Sequence, residues 1–175
     1  MRFLIASDLH GSSSNALFLV NKFKDLNCDK LILLGDILYH GPRNDLPLNY
    51  NPKQVIALLN PLSSDIIAIN GNCDAEVDQM VLNFKLNKSL DIYLNDIEFH
   101  LEHGHHLDEY DNSRYAILYG HTHVSVIEDK DGIMFINPGS ITIPKNNTKR
   151  GFMILDGNCL THFDIYNNVI ERKFL

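Results

Sequence analysis

The sequence predicts an α/β fold in which a mainly parallel, helix-covered sheet packs against a second, more antiparallel sheet. Three observations lead there. Over the first two-thirds of the chain, short apolar runs alternate with segments of helical periodicity. Over the last third, apolar runs come in quick succession with turn residues between them. Finally, five of the runs are each followed at once by an acid, an amide or an imidazole.

Arg2–Ala6 is a compact apolar run and the first strand. In the segment 15–26, Ala16, Val20 and Phe23 recur at helical spacing, and Ser12, Ser13 and Ser14 offer N-caps. Lys30–Leu34 reads as a second buried strand, 52–60 as a helix opened by Pro52, and 65–69 as a third strand. Next, 90–94 and Ile97–Glu102 flank Asn95-Asp96, a hairpin turn. Short strands are expected at 115–119, 124–128, 133–137, Gly151–Asp156, 159–166 and Val169–Phe174, and they supply the second sheet. With no linker and no internal repeat, 1–175 reads as a single domain.

The chain has 175 residues, 45% hydrophobic and 21% charged, enough to bury a substantial core. No apolar stretch approaches the roughly 20 residues of a membrane span, and the apolar run at the N-terminus is too short for a secretory signal. The expectation is a cytoplasmic protein that does not engage a membrane. Three widely spaced cysteines without a CxxC pattern argue against a disulfide framework or a cysteine-zinc knuckle. A formal charge of −7 with no Lys/Arg cluster disfavours long nucleic acid as a partner. A pair of divalent cations would add about +4 locally and reverse the field at its site.

The chemistry follows the strands. Ser7-Asp8-Leu9-His10, Gly35-Asp36, Asn70-Gly71-Asn72-Cys73-Asp74, Glu102-His103-Gly104-His105 and Gly120-His121-Thr122-His123 each come directly after an apolar run. Open α/β sheets bind their ligands at such strand ends. Asp8 and His10 are two residues apart, as are His121 and His123, so in extended backbone each pair points one way. Taken singly, a histidine at a strand end is more often structural, and Asp36 reads equally as a turn or cap residue. Taken together, Asp8, His10, Asp36, Asn72, His103, His121 and His123 make a mixed oxygen and nitrogen donor set without thiolate, suited to Mn, Fe, Co, Ni or Zn. They are too many for one tetrahedral ion and fit two ions sharing a carboxylate. Two such ions can bridge a hydroxide and clamp a phosphoryl group. His100, His106 and His162 lack such a context and read as structural.

In order and spacing these motifs resemble the calcineurin-like metallophosphoesterases, whose pattern is D-x-H, G-D, G-N-H-(D/E), an isolated H, and G-H-x-H. The match spans residues 7 to 123, and the stretches 35–44 and 137–140 resemble small bacterial YfcE-type phosphodiesterases. The resemblance implies a four-layer α-β-β-α sandwich and a dinuclear metal-dependent phosphoric ester hydrolase acting on a small phosphodiester. Asp8, His10 and His123 would hold one ion, Asn72, His103 and His121 the other, and Asp36 would bridge. Mn2+ is the expected ion, with Zn2+, Fe2+, Co2+, Ni2+ or Mg2+ as substitutes. Cys73 stands where the wider family has the histidine of G-N-H. A thiol is a weak donor, so diesters with good leaving groups are favoured over monoesters; Cys73 reads equally as a small packing residue. Arg43 is the candidate phosphate clamp, and His105 a candidate pocket residue. The alternative from another class is a VPS29-like interaction scaffold, which has no need of all seven donors. Free strand edges in the last third suit a homo-oligomer.

Overall fold

The computed structural model describes residues 1–106 and 116–175. Its organising element is a seven-stranded sheet. Strands β1 (Arg2–Ala6), β2 (Lys30–Leu33), β3 (Ile66–Ile69) and β4 (Leu86–Asn87) run parallel to one another. The first three are four or five residues of Leu, Ile and Phe buried almost throughout, as a strand covered on both faces must be. A hairpin, β5 (Ser89–Leu94) and β6 (Ile97–Glu102), turns through Asn95 and Asp96, both at positive φ as a tight two-residue turn requires. With β7 (Ala116–Leu118), β8 (Ser125–Lys130) and β9 (Ile133–Pro138) it forms a five-stranded sheet in the order β5-β6-β7-β9-β8. Here β6, β7 and β9 are parallel and the two outer pairs antiparallel, so this sheet is mixed.

The last three strands depart from the expectation that they belong to the second sheet. β10 (Gly151–Asp156), β11 (Cys159–Asp164) and β12 (Val169–Phe174) return to the first, giving the order β12-β11-β10-β1-β2-β3-β4. The cause is burial. Phe152 and Ile154 of β10 face the helices while Met153 and Leu155 face the second sheet, so this strand needs cover on both sides. The edge of β1 provides it.

Two helices, α1 (Ser13–Asp25) and α2 (Pro52–Leu59), lie on the outer face of the seven-stranded sheet. α1 sinks Ala16, Leu19, Val20 and Phe23 into that face, an i, i+3, i+4, i+7 stripe. It begins earlier than its apolar pattern, with Ser12 at the N-cap position. α2 starts on Pro52 behind Asn51, whose Oδ1 accepts the Gln54 N–H at 3.1 Å. Between the sheets a second core joins Phe3, Ile5, Ile32 and Leu34 to Phe99, Leu101, Leu118 and Ile136. Helix, sheet and sheet account for three of the four expected layers. Among the described residues no α-helix covers the outer face of the five-stranded sheet, where Ile117, Tyr119 and Ile133 are buried. Tyr115, expected to start β7, lies outside the described residues. No described helix is long and apolar enough to cross a membrane.

A candidate metal centre between the sheets

The carboxyl ends of β1, β2, β3, β6 and β7 open toward one another, and the loops leaving them carry all seven candidate ligands. The way they converge differs from the sequence expectation. β1 stops at Ala6 and β7 at Leu118, so neither the Asp8/His10 pair nor the His121/His123 pair rides on extended strand. Asp8, His10, Asp36, His121 and His123 all adopt positive φ, between 49° and 65°. Such left-handed conformations cost non-glycine residues free energy and gather at functional sites. Here the backbone turns at each ligand and aims its side chain inward.

Surrounding hydrogen bonds hold these turns. Asp8 and His10 donate their N–H groups to the carbonyls of Gly35 (3.2 Å) and Asp36 (2.8 Å), joining the first two loops. Gly71 passes so close to Asp36 that a Cβ there would strike its carboxylate. Asp74 accepts from the N–H groups of Asp36, Ile37 and Gly71 at 2.7–2.8 Å, fastening the second loop to the third. Burial pushes its carboxyl up to about 6, against the pull of those donors. Asn137 donates to the Gly120 carbonyl (2.7 Å), and Ser140 to that of Asp8 (2.8 Å). The stretch Asn137-Pro138-Gly139-Ser140 therefore braces the first and last ligand loops.

At the centre, Asp8, His10, Asp36 and His123 are 0–3% exposed and bring one donor atom each within 4.8 Å of the others. His10 donates through Nδ1 to the Tyr39 carbonyl (2.9 Å), His103 to Leu34 (2.6 Å) and His123 to Ile143 (2.6 Å). Those bonds fix a proton on each Nδ1 and direct each Nε2 inward. His10 Nε2 and His123 Nε2 meet at 3.1 Å. Asp8 Oδ2 accepts the His121 backbone N–H at 3.1 Å, while Oδ1, 3.4 Å from His123 Nε2, is buried with no hydrogen-bond partner. Asp36 reaches both ways, Oδ2 at 3.7 Å from His10 Nε2 and Oδ1 at 3.4 Å from His103 Nε2. On that second side the Asn72 amide oxygen lies 3.1 Å from His103 Nε2 and 2.7 Å from His121 Nδ1.

The electrostatics follow this packing. Burial lowers the His10 and His121 imidazoles below their ordinary value. Burial also opposes charge on both His103 and Asp36, yet their mutual hydrogen bond and attraction prevail. His103 rises to about 9, and Asp36 is held well below the usual carboxylate range. An orphaned carboxylate oxygen, inward lone pairs and a buried acid set to two sides form a donor set that fits divalent cations.

Above the centre opens a cleft of about 670 Å³, lined by His10, Asp36, Asn72, His121 and His123 below and by Tyr39, Arg43, Cys73 and Lys145 around. Arg43 is exposed on this wall, as a clamp would be. Cys73 is half-buried next to Asn72, and burial followed by the nearby Asp36 charge pushes its thiol up to about 12. His105 is exposed, its ring 5.6 Å from His103 and 6.0 Å from His121, and it does not line the cleft. Lys145 was not foreseen from the sequence. It is an isolated lysine before Asn146-Asn147, placed by its N–H bond to the His123 carbonyl at 3.1 Å. Asp74, Asn137 and Ser140 lay inside recognised motifs but had no assigned role.

Comparison with known proteins agrees with this architecture. A phosphodiesterase of Escherichia coli K12, YfcE, is 37% identical over 166 residues, 92% of this chain and 90% of its own. The solved YfcE structure, described as that of a phosphoesterase, superposes with a TM-score of 0.95, covering 99% of both chains at 34% identity. A phosphodiesterase of Methanocaldococcus jannaschii is 27% identical over 151 residues, 79% of this chain and 83% of its own. Vps29 of Entamoeba histolytica shares the fold, with a TM-score of 0.68 at 18% identity over 100% of this chain and 99% of its own. The family model of the calcineurin-like phosphoesterase superfamily domain matches residues 1–158, and the chain belongs to that superfamily.

Proposed function

We propose that the chain is a metal-dependent phosphodiesterase with a dinuclear centre, hydrolysing a small phosphodiester. The observation that carries this is Asp8 Oδ1, buried without a partner among imidazoles whose other nitrogens are already committed to backbone carbonyls. A site kept only for packing would not leave a carboxylate oxygen and lone pairs facing one another. Asp8, His10 and His123 would hold one ion, and Asn72, His103 and His121 the other. Asp36, directed at His10 and His103, would be shared. Bound divalent ions supply Lewis-acid polarisation of the phosphoryl group and activation of water. Mn2+ is the expected ion; the donor set also accommodates Zn2+, Fe2+, Co2+, Ni2+ or Mg2+.

Arg43 and Lys145, both cations lining the cleft, bind the phosphate oxygens that do not react. Cys73 offers a protonated but weak donor. That disfavours poor leaving groups and favours diesters over monoesters, in line with the two relatives named phosphodiesterases. The test is hydrolysis of bis(4-nitrophenyl) phosphate and of 4-nitrophenyl phosphate after chelation and again with added Mn2+. Metal-restored cleavage that favours the diester supports the assignment. No turnover with any of these divalent ions would overturn it in favour of a scaffold of the Vps29 kind.

A further inference from the structure

Beside the reaction cleft lies a second hollow of about 370 Å³ with a different chemistry. It shares Tyr39, Cys73 and Ala75 with the cleft, so the two adjoin along these residues. From there it runs along Pro52 and Ile56 of α2 to Val77 and Val81, on and just after the 3-10 turn Glu76–Met80. Val77 is 58% exposed and Val81 41%, an unusual concentration of aliphatic surface next to a charged centre. One wall is rigid. The Tyr39, His40 and Tyr50 rings contact edge to face at 4.6 and 5.2 Å, and Tyr39 is anchored at its carbonyl by His10.

Charge divides the two hollows. The cations Arg43 and Lys145 line the cleft, whereas no described residue lining the apolar hollow is cationic. Its one charged group is Asp78, whose carboxylate caps the Ala75 N–H at 2.9 Å and would repel an anion. A phosphate seated on the metal ligands thus has a cationic side for its oxygens and an apolar side for an uncharged substituent. The volume is at the small end of ligand sites and suits one aromatic ring system.

We infer that the hollow formed by Tyr39, Tyr50, Ile56, Val77 and Val81 is a specificity subsite that holds an uncharged aromatic substituent of the phosphodiester. This rests on the proposed phosphodiesterase activity and adds the substrate class. The continuity at Tyr39, Cys73 and Ala75 is what favours a substrate group over a protein partner. One ring buried there is worth about a tenfold gain in affinity or more.

The experiment measures inhibition of bis(4-nitrophenyl) phosphate hydrolysis by phenylphosphonate and by methylphosphonate in the Mn2+-loaded protein. Both inhibitors carry the same anionic group, so their ratio isolates the ring. Phenylphosphonate should bind about tenfold more tightly, and in Val77→Asp and Val81→Asp the ratio should fall toward one. These positions are exposed, and circular dichroism verifies the fold of each variant. A ratio near one in the unmodified protein, or one that survives both substitutions, overturns the subsite while leaving the phosphodiesterase assignment intact. Should either substitution convert an oligomer to a monomer by light scattering without moving the ratio, the surface is a subunit interface and the inference fails. Absence of diester hydrolysis with any ion refutes the activity itself, a result distinct from these.

Discussion

Gly71 has no side chain at the point where its backbone passes the Asp36 carboxylate, and the Asp36 N–H shares the Asp74 carboxylate with the Gly71 N–H. A methyl group at position 71 would displace Asp36, which is directed toward both halves of the candidate ligand set. We expect Gly71→Ala to lower metal affinity and diester hydrolysis by about 10- to 100-fold, as losses around a metal's ligands commonly do. Metal titration of the chelated protein followed by a diester assay checks this. At this scale the sequence was informative about identity and less so about geometry. The structure brings together the seven candidate donors that the sequence singled out. The argument that i and i+2 residues share a strand face fails, because Asp8, His10, His121 and His123 lie beyond the strand ends in left-handed turns. Asn, Asp and His tolerate that conformation better than most residues, but five cases in one site are not visible in a pattern of spacing. Lys145 escaped notice because a lone lysine carries no motif, and its place comes from a tertiary bond to His123.

Among the elements, the turn after β7 is held from β9 as well as by its own Thr122 N–H bond to the Gly120 carbonyl. The Asn137 amide bonds the Gly120 carbonyl at 2.7 Å and reaches Thr122 Oγ1 at 3.1 Å, spanning the turn that presents His121 and His123. Asn137→Ala removes those bonds and leaves the buried Gly139 N–H, which donates to Asn137 Oδ1 at 2.8 Å, without its acceptor, at a cost of about 1–3 kcal/mol. The expected result is a lower unfolding midpoint together with weaker metal binding, with strand content by circular dichroism retained. A drop in stability without any change in metal affinity would show that Asn137 braces the sheet and not the turn. Strands themselves were legible wherever a run was both apolar and bounded by turn residues; β10 and β12 have the expected limits. β4, two half-buried residues paired only with β3, offers no such run.

For the whole molecule, the pairing of β10 with β1 ties the C-terminal meander to the first strand and makes the seven strands one continuous sheet. No register for that return is readable from the residues, because β10 is apolar on both faces and fits beside any buried strand. His162 on β11 is enclosed in this layer, 2% exposed with Nε2 unpartnered, packed over Gly151. Burial lowers its imidazole from 6.5 to about 4. The unfolded chain therefore takes up a proton near pH 6.5 that the folded chain refuses until about pH 4. Stability present above that window is lost as pH falls through it, by up to about 3 kcal/mol. In the metal-free protein, urea unfolding at pH 7 and pH 4.5 should show this loss. His162→Gln should remove much of the difference, and an equal pH dependence in both proteins would contradict it.

The left-handed turns at the ligands have a consequence for how such a centre decays over generations. Under the proposed function each of those positions trades folding stability for metal binding, so relaxed selection on catalysis rewards escape. Glycine is the easiest exit, since it keeps the turn and sheds the strain. Without metal, His121→Gly should therefore melt higher than His121→Ala, by about 1 kcal/mol of stability. Descendants that keep the fold for another purpose would then carry glycine or asparagine at these turns, a signature of abandoned chemistry readable without any assay.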